Sequence, residues 1–322
     1  MRAFVTGAEG FAGSHLTELL LQRGTHTFGT YFDEAAFGAL PDTVAEAELV
    51  QCDVRDHETL DRTVSNADPD TVFHLAAVAS VSQSERNPAL TIETNVTGSC
   101  NLLNTVRDNA PKARIVMISS AEVYGKVTSE QLPLREDAPV EPINLYGVTK
   151  ASVELLSKLY IAAYGMDIVI VRPFNHLGPR QSPSFVSADF ASQIAKIELG
   201  LIPPRIEVGD LAVERDFTDV RDMVKGYLAA AEKGRTGDIY NLCSGESYRI
   251  ENLLDILISF AQVPIEIHQD AAKRRATDVP VLVGSADKFE QATAWSAETS
   301  LATTLLDTLD YWREKVTSTG DS

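Results

Sequence analysis

Basic residues are scarce in this chain. Twenty-eight lysines and arginines stand against 46 aspartates and glutamates in 322 residues, for a formal net charge of -18. A surface of that sign gains nothing from counterion release on nucleic acid and is repelled by anionic lipid headgroups. Neither nucleic acid nor a membrane surface is therefore expected as a partner. Cysteine is also sparse: Cys52, Cys100 and Cys243 lie far apart and form no CxxC pair and no Cys/His cluster. Their odd number fits reduced thiols better than a disulfide framework. The six histidines (His15, His26, His57, His74, His176 and His268) lack zinc-ligand spacing, so no metal site is expected. Long apolar runs are missing too. None approaches the roughly 18 to 20 residues needed to cross a bilayer. Gly7, Glu9 and Gly10 interrupt what would be the apolar stretch of a secretory signal. These absences together lead us to expect a soluble, cytoplasmic protein. The acidic excess suits either a high-salt cytoplasm or an ordinary acidic enzyme.

What is present is a regular alternation. Short runs rich in Val, Ile and Phe at 3–6, 25–30, 48–52, 71–75, 114–119 and 167–172 read as strands. Helical stretches separate them, such as 12–23 with Leu16, Leu19 and Leu20 on one face. Strand and helix in alternation predict an α/β protein with a doubly wound parallel sheet, covered on both sides. After Arg172 the rhythm breaks at Pro173, Pro179, Pro183, Pro203 and Pro204. Helices are expected near 188–199, 251–261 and 301–315, and a strand at 238–242 should rejoin the main sheet. The first domain is thus expected over 1–173 with a return at about 217–243. A smaller, partly interleaved substrate domain takes 174–216 and 244–322.

Gly7-Ala8-Glu9-Gly10-Phe11-Ala12-Gly13 follows the first strand and opens the first helix. Glycines there permit a tight turn, a close approach of backbone to a pyrophosphate, and close helix–strand packing. The helix N-terminus presents free N–H groups to the phosphates. The GxxGxxG spacing resembles that of the short-chain dehydrogenase/reductases, a Rossmann superfamily. That resemblance implies NADP or NAD as cofactor, with Gly7, Gly10, Phe11 and Gly13 at the dinucleotide. It also implies that Asp53 and Val54 meet the adenine, and that Leu75, Ala76 and Ala77 make room beside the fourth strand. The second strand should choose between NAD and NADP through an acid or an arginine. Tyr31 stands where the acid is usual, Asp33 follows two residues later, and no arginine adjoins them, so the choice stays open.

Tyr146-Gly147-Val148-Thr149-Lys150 opens a helix, and residues four apart share a helix face. A nearby ammonium favours a phenolate, so Lys150 is expected to pull the Tyr146 pKa down toward neutrality. Ser119-Ser120-Ala121-Glu122-Val123-Tyr124-Gly125 ends the fifth strand and closely resembles the extended short-chain dehydrogenases. In that family the residue at Ser120 orients the substrate oxygen, Tyr146 exchanges a proton with it, and Lys150 holds the nicotinamide ribose. Glu122 stands where sugar 4,6-dehydratases carry the base that removes a C5 proton. It is otherwise an inherited carboxylate.

The second half narrows the resemblance. Arg172-Pro173-Phe174-Asn175-His176-Leu177-Gly178-Pro179-Arg180-Gln181, Arg215-Asp216-Phe217-Thr218-Asp219 and Arg275-Ala276-Thr277-Asp278 are similar to the GDP-4-keto-6-deoxy-D-mannose reductases, over essentially the whole chain. The resemblance implies that Asn175 and Arg215 meet the diphosphate, Arg275 a phosphate and Asp278 the ribose, with Val186 and Lys196 also at the GDP-sugar. Two residues depart from it. Arg180 stands where the reductases have Gly, and Ala276 replaces a usual Pro. The expected reaction is NAD(P)H-dependent reduction of the 4-keto group to GDP-D-rhamnose or a close isomer. GDP-mannose 4,6-dehydratase and nucleotide-sugar 4-epimerase are the rival activities, and a catalytically silent dinucleotide sensor is the rival outside enzymes. A homodimer through helices around 91–109 and 147–164 is expected by analogy.

Overall fold

The computed structural model describes residues 1–270 and 279–320. Thirteen strands are formed among them. They are β1 (Arg2–Thr6), β2 (His26–Tyr31), β3 (Glu48–Gln51), β4 (Thr71–His74), β5 (Arg114–Ile118) and β6 (Ile168–Pro173), followed by β7 (Asn175–Leu177) and β8 (Arg205–Val208). The rest are β9 (Glu214–Asp219), β10 (Ile239–Leu242), β11 (Ser247–Arg249), β12 (Glu266–Gln269) and β13 (Val281–Leu282).

Seven strands make one sheet in the order β10-β6-β5-β4-β1-β2-β3, and every neighbouring pair is parallel. This is the doubly wound arrangement expected from the alternating pattern. Its cause is visible in the central strands β1, β4, β5 and β6, whose residues are buried on both faces. Ala3, Val5, Phe73 and Val116 join the hydrophobic cluster on one face. Phe4, Val72, Ile115 and Met117 join that on the other, as the two-residue period of a strand requires. The chain order reverses between β1 and β4, and ligands of such sheets bind outside the carboxyl ends of the strands at that reversal.

After β6 the chain leaves this sheet and builds a second layer. Strand β9 pairs with β7, β11 and β13, and β8 pairs with β12. A third cluster, with Leu177, Phe190, Ile194, Val208, Leu253, Leu257 and Leu305, fills this region. The helix Val220–Lys233 then returns to the large sheet, and β10 pairs with β6 in parallel. The expected helices appear as Val186–Glu198, Ile250–Ser259 and Leu301–Gly320.

Candidate active site

The glycine loop turns from β1 into the helix Phe11–Gln22, whose N-cap Gly10 offers no side-chain bond to the first N–H groups. Those donors are left for a ligand. A Cβ at Gly13 would lie 2.0 Å from the Gly7 carbonyl oxygen, so only glycine lets the helix start this close to the strand. Below the loop lies a cavity of about 430 Å³ lined by Gly7, Gly10, Asp53, Val54, Leu75, Ala76 and Ala77, all expected at the cofactor. Asp33, noted after the second strand, lines it as well, together with Glu9, Phe32 and Arg55, which were not expected there. Phe11, Gly13, Tyr146 and Lys150, also expected at the cofactor, fall outside the lining. The Phe11 ring stacks on His176 at 5.7 Å between centroids, and Gly13 serves the helix–strand contact. These groups fit a dinucleotide: a glycine cradle, free helix N–H groups and an apolar wall of small residues.

The helix Leu145–Tyr164 carries Tyr146 and Lys150. Its N-cap Asn144 accepts the Gly147 N–H at 2.8 Å, and Gly165 closes it in the left-handed conformation. A Cβ at Gly147 would lie 2.5 Å from the Glu122 carbonyl oxygen. Glycine thus allows the helix to enter against the turn that carries Ser120. Ser120 and Tyr146 are both buried, and the Ser120 hydroxyl accepts the Glu122 N–H at 3.2 Å while favouring the ionised form of the Tyr146 phenol.

The electrostatics depart from the expectation for Tyr146. Burial pushes its phenol up to about 12, the Ser120 hydroxyl offsets part of this, and the Glu122 charge adds to it. Lys150 does not pull it down. Its ammonium lies 5.9 Å from the centre of the Tyr146 ring and donates instead to the Ile118 carbonyl at 2.8 Å. Burial itself pushes Lys150 down to about 8.

A buried polar network that the sequence reading missed ties the cofactor loop to this helix. Asn95 accepts the Val78 N–H at 2.8 Å and donates to Thr149 Oγ1, between Tyr146 and Lys150, at 3.0 Å. Its carbonyl accepts the Ser99 hydroxyl, which bonds His74, which bonds Thr6 at the end of β1. Asn95 sits in a one-turn π-helix, Glu93–Thr97, a local widening often found at functional positions. Burial, with the Lys150 charge behind it, pushes His74 down to about 3, so this link stays neutral.

Beside Ala121 and Glu122, which follow Ser120 in the chain, opens a second cavity, of about 590 Å³, whose lining does not include Ser120, Tyr146 or Lys150. Glu122, Asn175, Val186 and Arg215 line it, and Arg86, Asn144 and Asp189 join them. Arg215 also donates to the carbonyls of Glu214 and Val279, at 2.8 and 2.7 Å. Lys196 lies on the helix Val186–Glu198 but is not among the lining residues. Arg275, Ala276 and Asp278 lie outside the described residues. Arg180 adopts φ of 73°, the region that favours glycine, which is the residue expected there in the reductases. It is held in place by Glu18 and by His15 Nδ1, each at 2.6 Å. Among the described residues no cluster of His, Cys, Asp and Glu forms a metal site, and no helix is long and apolar enough to cross a membrane.

Comparison with known proteins agrees with this geometry. A family model described as GDP-mannose 4,6 dehydratase matches residues 4–308. The chain is 35% identical over 315 residues to GDP-6-deoxy-D-mannose reductase of Pseudomonas aeruginosa, covering 98% of each chain. The solved structure of RMD from Pseudomonas aeruginosa complexed with NADPH superposes with a TM-score of 0.86 at 33% identity, over 98% of this chain and 100% of that one. The Thermus thermophilus UDP-glucose 4-epimerase complex with NAD gives the same TM-score at 29% identity, over 97% and 99%. The chain therefore belongs to the GDP-mannose 4,6 dehydratase family, whose relatives are NAD(P)-dependent nucleotide-sugar enzymes of the extended short-chain dehydrogenase/reductase type.

Proposed function

We propose that this protein reduces the 4-keto group of a GDP-4-keto-6-deoxyhexose, giving GDP-D-rhamnose or a close isomer. The observation that carries the reading is the buried Ser120 hydroxyl acting on the Tyr146 phenol, next in the chain to Ala121 and Glu122, which line a cavity together with Asn175 and Arg215. A bound dinucleotide supplies the hydride. Ser120 orients the sugar carbonyl by donating its hydroxyl proton in a hydrogen bond. Tyr146, whose phenol burial keeps protonated at neutral pH, gives a proton to the oxygen at C4. Lys150 contributes a positive charge beneath the site that favours negative charge as it develops on the tyrosine oxygen. Arg215 and Asn175 hold the diphosphate, as a planar guanidinium and an amide suit phosphate oxygens. Arg275, Asp278, Val186 and Lys196 complete the nucleotide contacts in this reading.

A second reading, GDP-mannose 4,6-dehydration, has one observation in its favour. Glu122 lines the same cavity, and Asn144 donates to its carboxylate at 2.7 Å, fixing a base near the sugar.

The reading extends to the whole molecule. Residues 1–173 and 217–243 form the dinucleotide-binding unit, and 174–216 with 244–322 the nucleotide-sugar unit. The enzyme works in the cytoplasm, in deoxysugar biosynthesis, without nucleic acid. It acts as a homodimer through the helices around 91–109 and 147–164, on the second of which Leu155 and Leu159 are 66% and 57% exposed.

The test is to mix the protein with GDP-4-keto-6-deoxymannose and NADH or NADPH and follow nicotinamide absorbance. Stoichiometric oxidation with formation of a GDP-6-deoxyhexose supports reduction. Conversion of GDP-mannose to the keto sugar without net use of cofactor replaces it with the dehydratase reading.

A further inference from the structure

We propose that Glu9 makes this enzyme selective for the dinucleotide with a free ribose 2′-hydroxyl, NAD(H), over its 2′-phosphorylated counterpart NADP(H). The proposal rests on the dinucleotide reading of the 430 Å³ cavity and is independent of which sugar is reduced. Glu9 lies within the glycine loop and lines that cavity. One of its carboxylate oxygens accepts the Phe32 N–H at 2.8 Å, which fixes the side chain across the end of β2. Its other oxygen, Oε2, is buried without a hydrogen-bond partner. A buried carboxylate oxygen lacking a donor is costly to leave unsatisfied. A ribose hydroxyl is the kind of donor that would satisfy it. A phosphate, which has only acceptor oxygens when fully ionised, would face it with like charge.

The surroundings point the same way. Asp33 also lines the cavity, and its carboxylate is oriented by the N–H groups of Ala35 and Ala36 at 2.8 and 3.2 Å. Arg55 is the one cation in the lining among the described residues. Its guanidinium is already engaged, donating to both carboxylate oxygens of Asp53 at 2.5 to 3.0 Å and to Glu93 at 3.4 Å. Of the three carboxylates that line the pocket, Asp53 is paired with its one guanidinium, and the charges of Glu9 and Asp33 are left without a cation in the lining. The field at the ribose end is negative, which a dianionic 2′-phosphate pays for directly. Tyr31, at the usual position of the acid, stacks on Phe37 at 4.1 Å instead, and the loop residue Glu9 takes over the charge that β2 does not supply.

The experiment is a binding titration with NADH and with NADPH at low ionic strength, read by nicotinamide fluorescence with no sugar present. The wild-type protein should bind NADH more tightly by about tenfold or more. Glu9→Gln keeps an acceptor for the Phe32 N–H while removing the charge. It should narrow that ratio chiefly by tightening NADPH, and Asp33→Asn should narrow it by a smaller step. Equal or tighter binding of NADPH by the wild type overturns the proposal. So does a ratio unmoved in Glu9→Gln with unchanged thermal stability. Binding of neither dinucleotide overturns the cofactor reading of the cavity along with it, whereas failure to reduce a GDP-sugar would leave the measured ratio standing.

Discussion

The Asn144 side-chain amide donates to the Glu122 carboxylate at 2.7 Å, while the carbonyl of the same side chain caps the helix of Tyr146. One residue thus fixes both the entry of the helix Leu145–Tyr164 and the carboxylate that separates the two candidate chemistries. In a reductase Glu122 moves no proton. Glu122→Gln, which preserves size and hydrogen-bonding capacity, should then lower the rate of keto-sugar reduction by less than about tenfold. A general base lost from a dehydratase costs about 10²- to 10⁴-fold. Steady-state rates of the variant on GDP-4-keto-6-deoxymannose and on GDP-mannose decide between these values.

Tyr146→Phe removes the proton donor and leaves the ring in place. The turnover number should fall by about 10²- to 10⁴-fold, as for loss of a general acid. Dinucleotide binding, measured by fluorescence, should persist. A variant that retains near-normal turnover would remove Tyr146 from the chemistry.

Stability should fall as pH drops below about 6.5. Burial holds His74 near 3 and His15, helped by Arg180, near 4, and it lowers His176 as well. An unfolded chain takes up protons at these residues from about 6.5 downward, while the folded chain does not. Between those values the unfolded state binds more protons, so the slope is up to about 1.4 kcal/mol per pH unit for each group. Denaturation midpoints measured from pH 7 to pH 4 should show this decline. A folded His74→Asn variant should show a shallower one. A flat profile would mean that these histidines are protonated in the folded protein.

Arg172 and Glu154 form a buried pair that fastens β6 to the helix Leu145–Tyr164, with bonds of 2.8 and 2.7 Å and side chains 2% and 3% exposed. Ser119 donates to the same carboxylate, and Tyr124 lies under the guanidinium at 4.7 Å. Glu154→Ala strands a buried charge and should cost about 3 to 5 kcal/mol. The double change Glu154→Leu with Arg172→Met should cost less than the single one. Urea denaturation of the three variants checks the order, and a double variant less stable than Glu154→Ala would contradict it.

Much of this architecture is legible in the sequence because it depends on local signals. The alternation of apolar runs with helical stretches defines the parallel sheet, and the glycine loop is recognisable because only glycine tolerates the 2.0 Å approach at Gly13. Ser120, Tyr146 and Lys150 are readable as a pattern of types and spacings. The partner of Lys150 is not, since Ile118 lies 32 positions earlier and a backbone carbonyl leaves no trace in residue identity. The network from Thr6 through His74, Ser99 and Asn95 to Thr149 joins four separate segments, and each member reads alone as an ordinary core polar residue. Glu9 escapes because the second strand is the usual place to seek the ribose-facing acid. Arg180 misleads in the other direction. A residue type that departs from the resemblance is accommodated at a positive φ by its bonds to Glu18 and His15. The short strands β7, β9, β11 and β13 are set by contacts with one another, which their lengths of two to six residues do not announce.

The most direct test of the central claim uses NADH or NADPH carrying deuterium at the transferable C4 position, incubated with GDP-4-keto-6-deoxymannose. The reductase reading predicts one deuterium at C4 of the hexose in each product molecule, with one cofactor oxidised for each sugar reduced. A hexose free of label, with the deuterium retained in unconsumed cofactor, would contradict it.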